Sequence, residues 1–503
     1  MVNDLGVHTE KGVFLTHEQY NILIDQDNEK QARITYLEQE LAQLKRMIFG
    51  SKSERFVQQD PGQLSLGLDL AQIETPQQET EELTYTRKKS KGQGKESPVR
   101  LPLPSHLHRE VIVIEPEEDV TGAKKIGEVV TEILEYTPGK FYVEKYIRPK
   151  YVLPEDKGIV IGDLPSLPIP RGNAGAGLLA HLMISKYVDH LPFYRQVQQF
   201  KRQDITIAES TISGWFSAVA RLLEPLYENL IDKIKQSSYL MADEVPIPVL
   251  SKDKPGSTHK GYHWVYRSPL DKLVVFDYQK GRSRDGPREF LKSFRGALQT
   301  DGYQAYDEFE NKEGITLLAC MAHVRRKFDQ AMDNDPTRAT YALGKIQQLY
   351  KIERKAREEN LSQEQRKELR QKEARPILEE LENWMKDQLV HVLPRSAIGE
   401  ALAYSLKLWK RLIRYIDDGC WEIDNNGVEN SIRPVALGRK NYMFSGSHEA
   451  ARYAAMMYSF LGTCKINNVE PFSWLRDVLT RIQDHSINKL EELLPTYKPG
   501  KSE

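Results

Sequence analysis

The chain has 503 residues, a formal net charge of −1, 28% charged residues and three cysteines, Cys320, Cys420 and Cys464. Such a length exceeds what one hydrophobic core organises and predicts two to four domains, while three widely spaced cysteines exclude a disulfide framework and a zinc site built on paired thiolates. Near-neutral charge argues against a protein that coats nucleic acid with its whole surface, and with no apolar run of about 18 residues and no signal-like start the chain is expected to be cytoplasmic and to have no membrane contact.

Near the N-terminus Ile34, Leu37, Leu41, Leu44 and Ile48 alternate spacings of three and four, the a/d seam of a short coiled coil. Residues 15–56 are therefore expected to form an N-terminal coiled-coil or helical DNA-binding segment, against the competing reading of one amphipathic helix packed on its own domain. Residues 57–104 hold too few apolar side chains for a core and read as a disordered linker, with the cationic run RKKSKGQGK at 87–95. Residues 105–170 carry VIVIEP, ILEYTP and FYVEKYIRPKYVL between prolines and glycines, which predicts a small β-rich domain. The pattern turns helical over 171–235, where LPFYRQVQQFKRQDITIAESTISGWFSAVARLL reads as helix, turn, helix with Ser210 or Thr211 placed as an N-cap. An ordinary helical hairpin is the simpler reading of that pair and a DNA-reading helix the sharper one.

After Gln236 the period changes to that of strands. SSYLMADEVPIPVL, GYHWVYRSP and KLVVFDYQK form a meander, REFLKSFRG reads as a helix, ALQTDGYQAY as a strand, and ITLLACMAHVRRKFDQAM as a strand running into a helix. This order predicts an α/β catalytic core of ribonuclease-H-like fold over 236–447, a fold that serves polynucleotidyl transfer with one carboxylate in the first strand and one just after the fourth. Asp243 and Asp301 hold those two places. Either alone would be an ordinary turn or strand-end residue, so the signal is their joint placement. Glu244 is expected to point to the opposite face, because side chains alternate along a strand. A highly charged stretch, about 335–418, reads as a helical insertion, and 448–503 as a C-terminal helical segment.

The run DNNGVENSIRPVALGRKNYMFSGS, Asp424 to Ser447, follows the insertion. Glu429 there has three readings: the partner of Asn426 in a capping box, an ion pair with Arg433 four residues on, or a third carboxylate on the first turn of a helix packed against the sheet. The two upstream aspartates favour the third.

With MADEVPIPVL, LQTDGYQAY and CMAHVRRKF, this run resembles the transposases of the insertion-sequence 66 family, and the likeness extends over nearly the whole chain. The resemblance implies a DNA transposase, an Asp-Asp-Glu polynucleotidyl transferase that cleaves element ends and joins the freed 3′-hydroxyl to target DNA. Its triad maps onto Asp243, Asp301 and Glu429, which would hold Mg²⁺ or Mn²⁺ through hard oxygen ligands. His323, Arg325, Arg326, Arg433, Arg439 and Lys440 are the expected DNA contacts, with a buried-Cys corner as the alternative for Cys320 to His323. Implied partners are the terminal inverted repeats, target DNA, a second copy of the chain and companion proteins of the element. A structure-specific nuclease of the same fold, or a catalytically silent DNA-binding protein, is the alternative. Family members carry two Cys-x-x-Cys pairs where this chain has EDVTGAKKIG and VLPEDKG, so no zinc is expected.

Overall fold

The computed structural model describes residues 172–251 and 256–497, the pieces 139, 141–147 and 165–170, and the backbone of four short strands. The chain divides into two compact units, Gly62–Leu164 and the remainder. In the smaller unit β3 (Lys150–Val152) pairs antiparallel with β4 (Ile159–Ile161), Tyr151 opposite Val160. Of the expected run FYVEKYIRPKYVL, Phe141–Ile147 is not in a strand while residues 150–152 are. The coiled-coil segment 15–56 and the linker lie outside the described residues. Upstream of them β1 (Val7–Thr9) and β2 (Gly12–Phe14) form an antiparallel pair.

The larger unit is built on a five-stranded sheet, ordered β7-β6-β5-β8-β9. Its strands are β5 (Tyr239–Leu250), β6 (Thr258–Ser268), β7 (Leu273–Gln279), β8 (Gly296–Thr300) and β9 (Ile315–Ala319). The first three form the expected antiparallel meander, whereas β8 runs parallel to β5 and β9 parallel to β8. ALQT and ITLLA are almost continuously buried, as parallel strands covered on both faces must be. Where β8 begins, Gly296 has φ +141°, and a Cβ there would stand 2.2 Å from the Ser238 carbonyl oxygen, so only glycine lets the two backbones close up.

Helices α1 (Ala176–Tyr187), α2 (Phe193–Lys201) and α3 (Glu209–Lys235) precede the sheet. Phe216, Val219, Leu223, Leu226 and Leu230 of α3 recur at spacings of three and four and are buried, and the Tyr227 hydroxyl donates to the Phe276 carbonyl of β7 at 2.5 Å. The second helix of the expected helix-turn-helix is thus a core element. Its capping is also corrected: the N-cap is Ala208, with no side-chain cap bond, and Ser210 and Thr211 lie inside the first turn. Glu209, in that turn, puts a negative charge at the positive end of the helix instead.

Between β7 and β9 comes α4 (Asp285–Phe290), and β9 runs into α5 (Met321–Gln330). The insertion follows as α6 (Pro336–Glu358), α7 (Gln363–Leu369), α8 (Arg375–Leu389) and α9 (Ala397–Ile413), then α10 (Asn426–Tyr442), α11 (His448–Ile466) and α12 (Pro471–Arg481). Although read as a separate C-terminal segment, α11 covers the sheet: its Ser459 and Thr463 hydroxyls accept the backbone N–H groups of Phe276 and Val274 at 2.8 and 3.3 Å. Among the described residues no helix is long and apolar enough to cross a membrane.

Candidate active site

Strand register brings the first two carboxylates together. Met241 of β5 pairs with Gln299 of β8 at the end of the parallel ladder, which puts Asp243, two residues on in β5, beside Asp301, just past the end of β8, and the Asp301 charge acts on the Asp243 carboxyl. Asp243 accepts the Glu244 N–H at 2.7 Å, and its carboxyl is pushed well above the usual range by burial first, then by the charges of Asp301, Glu244 and Glu429. Asp301 accepts the Tyr303 N–H at 2.8 Å, while its carbonyl takes the Tyr404 hydroxyl of α9 at 2.7 Å. Gly302 makes the turn with φ +89°, its α-carbon so close to α9 that a Cβ would lie 2.6 Å from Leu408 Cδ1.

Glu244 stands opposite Trp264 in the ladder, whereas Asp243 stands opposite Val265. It is held by Arg282, whose Nε donates to Oε1 at 2.7 Å. The same guanidinium lies 3.9 Å from the Tyr303 ring centroid, and the Tyr303 hydroxyl donates to the Arg282 carbonyl at 3.0 Å. Burial raises the Glu244 carboxyl and the bond from Arg282 opposes that rise. This clamp stiffens the turn that carries Asp301.

Glu429 occupies the first turn of α10. The capping reading does not hold, because the N-cap is Asn425 without a side-chain cap bond, and the Asn426 N–H donates to Asp424 Oδ1 at 3.0 Å. Asp424, whose other oxygen takes the Tyr350 hydroxyl at 2.7 Å, therefore organises the helix start and leaves Glu429 available. Nor does Glu429 pair with Arg433, which is exposed; its oxygens lie 3.8 Å from His323 Nε2 and 3.7 Å from Arg326 Nη2. Buried Glu429 Oε1 has no hydrogen-bond partner. Among the described residues no group of three Asp, Glu, His or Cys side chains stands close enough together to hold a metal ion. The unpartnered Glu429 oxygen is a hard acceptor of the kind a divalent cation would satisfy.

The expected cations separate into groups. His323 and Arg326 adjoin Glu429 and, with Lys327, Gln330, Asp301, Gly302, Tyr303 and Tyr404, line a pocket of about 340 Å³. Arg325 is not among these; its charge acts on Tyr350. Arg439 braces α10 against β5 by donating to the Pro246 carbonyl, and Arg433 and Lys440 are exposed. Cys320 is buried at the corner between β9 and α5, where its sulfur accepts the Asn425 N–H at 3.3 Å and burial raises its thiol. Sequence reasoning missed Lys327 and Gln330, although their spacing from His323 and Arg326 marks one helix face, and missed Arg282 and Tyr404, which reach the site from a loop and from the insertion.

Residues 171–453 match the model described as Transposase IS66 family, 36–112 that of Transposase C of IS166 homeodomain, and 459–496 the IS66 C-terminal element. Residues 120–152 match the zinc-finger binding domain of transposase IS66. That match overturns the expectation that zinc has no place here. That expectation came from counting thiolates: residues 120–152 contain neither Cys nor His, so the likeness is carried by the rest of the segment. Relatives include the uncharacterized protein y4jD of Sinorhizobium fredii (strain NBRC 101917 / NGR234), 33% identical over 96% of this chain and 97% of its own. The uncharacterized protein y4qI of the same strain is 33% identical over 94% and 90%, and the uncharacterized protein YuaK of Escherichia coli (strain K12) is 33% identical over 20% and 90%.

Proposed function

Because the chain belongs to the IS66 transposase family, we propose that it cuts DNA at the ends of its insertion sequence and joins them to target DNA, using Asp243, Asp301 and Glu429. One observation carries this reading: the parallel register that sets Asp243 beside Asp301, with Glu429 near enough on α10 to raise the Asp243 carboxyl. A meander followed by two parallel strands, with order β7-β6-β5-β8-β9, supports taking the core as ribonuclease-H-like.

The three carboxylates would hold divalent metal, which when bound activates the attacking oxygen and stabilises the leaving one. In the first step water forms a bond to phosphorus and the 3′-oxygen at the element end leaves as a hydroxyl. In the second that hydroxyl bonds to a target phosphorus and displaces the target's own 3′-oxygen. The chain contributes position: the Gly302 turn and Tyr404 fix Asp301, Arg282 keeps Glu244 on its own side, and His323 and Arg326 hold Glu429 beside the cleft. The DNA partners would be terminal repeats and target. Joining two ends calls for more than one catalytic core, consistent with a homo-oligomer. Incubating full-length protein with labelled element-end duplex, Mg²⁺ and a target plasmid tests the reading: joined product supports it, whereas cutting without joining marks a structure-specific nuclease.

A further inference from the structure

We propose that one face of α5, with Tyr303 and Tyr404, is a subsite for a single unstacked nucleotide adjoining the phosphate at which the three carboxylates act. This rests on the reading of that corner as the DNA-cutting site. His323, Arg326, Lys327 and Gln330 fall at i, i+3, i+4 and i+7 of a ten-residue helix, so they form one polar stripe, while Met321, Val324 and Phe328 are buried elsewhere on it. The stripe is one wall of the 340 Å³ pocket, and Asp301 belongs to the same lining, which places any occupant next to the reacting bond. That volume is near the lower end of the roughly 300–1,000 Å³ of small-ligand sites, enough for one nucleotide and too small for duplex.

The chemistry of the walls assigns the parts of that nucleotide. Arg326 and Lys327 suit its phosphate. The Lys327 ammonium lies 5.9 Å from the Tyr404 ring centroid, so the cation and a flat stacking surface come together. Both aromatic walls are fixed before any ligand arrives, Tyr404 by its bond to the Asp301 carbonyl and Tyr303 by the Arg282 guanidinium stacked on it. Gln330, exposed at the end of the stripe, offers an amide to a base edge. Arg326 stands 3.7 Å from Glu429 and lines the pocket, so one guanidinium borders both the carboxylate corner and the subsite. Tyr404 comes from the insertion, which thereby gains a part in holding substrate.

The test is fluorescence anisotropy with full-length protein in EDTA, using the element-end duplex with the nucleotide beside the cut either intact or abasic, over a range of salt. Lys327→Ala should weaken binding several-fold and flatten the slope of log K against log salt by about 0.7–0.9, the signature of one lost phosphate contact. The abasic duplex should bind wild type about fivefold or more weakly, and Tyr404→Leu should bind both duplexes alike. An unchanged slope in Lys327→Ala, or equal binding of the two duplexes by wild type, overturns the subsite. Wild type that joins ends yet gives those results loses the subsite and keeps the transposase reading. Wild type that discriminates the duplexes but never joins them does the reverse.

Discussion

Arg370→Met removes the guanidinium that ties the insertion to the segment leading into α10. Arg370 is 0% exposed and donates to both oxygens of Glu353, itself 1% exposed, at 2.8 Å each, and to the Tyr415 and Asp418 carbonyls at 2.9 and 2.6 Å. Removing one partner of a buried pair costs about 3–5 kcal/mol, and two carbonyls that lose a charged donor add about 1 kcal/mol each, so the loss should be about 5–7 kcal/mol. Part of it is electrostatic and therefore depends on pH. Burial raises the Glu353 carboxyl, but Arg370 and Arg366 outweigh burial and leave it below its ordinary value. A lowered acid contributes stability above its unfolded pKa, about 4.3, and loses it as pH falls through the folded value. Without Arg370 the cost of burying an ionised Glu353 is less well offset, so the deficit should be largest at pH 7 and shrink below about pH 4.5. Hydrogen exchange over α6 and Arg414–Asp418 in the full chain reads the local opening free energy at both pH values, avoiding the assumption that so long a chain unfolds in one step. Adding Glu353→Gln should cost less than the two single changes together. A loss under about 1 kcal/mol, equal at the two pH values, would refute the reasoning.

Three further outcomes follow from single contacts. Gly296→Ala should cost about 3 kcal/mol or more, strain at a positive φ plus a clash with the Ser238 carbonyl, and a urea midpoint close to wild type would contradict it. Burial pushes the Asp277 carboxyl up to about 6, so ionising it costs stability and wild type weakens as pH climbs from about 4 through 6. Asp277→Asn should accordingly gain about 1–3 kcal/mol at pH 7.5 and nothing at pH 4, with an equal effect at both counting against the cause given. Leu41→Asp should reduce assembly size in light scattering while hydrogen exchange over β5 and β8 stays unchanged, if the Ile34 to Leu44 seam pairs chains.

The sheet was legible because its strands carry a period-two or fully apolar pattern interrupted by turn residues. What failed was local: Asn-x-x-Glu spacing fits a capping box, but the backbone N–H of Asn426 goes to Asp424, one of several oxygens in that run with equal claim to it. Ser210 and Thr211 likewise look like caps, yet α3 starts a residue before them. Arg282 and Tyr404 were out of reach for another reason. Their roles depend on a loop and an inserted helix folding back on Asp301, and no spacing along the chain encodes that return. In the 120–152 segment, reliance on Cys and His led to the expectation of no zinc, which the zinc-finger match, carried by other residues, overturns.

The most direct measurement compares cutting and joining of a labelled element end by wild type, Asp243→Asn, Asp301→Asn and Glu429→Gln, with urea unfolding recorded for each. Gln keeps the length of Glu and removes the charge, so a residue that only supported the helix start would tolerate the change. Metal ligation predicts that no variant unfolds below the wild-type midpoint, with Asp243→Asn unfolding above it because its buried carboxylate is gone, while cutting and joining vanish together, since one site serves both steps. Robust Mg²⁺-dependent cutting by Glu429→Gln would contradict the triad and move the search for the third carboxylate to Asp424.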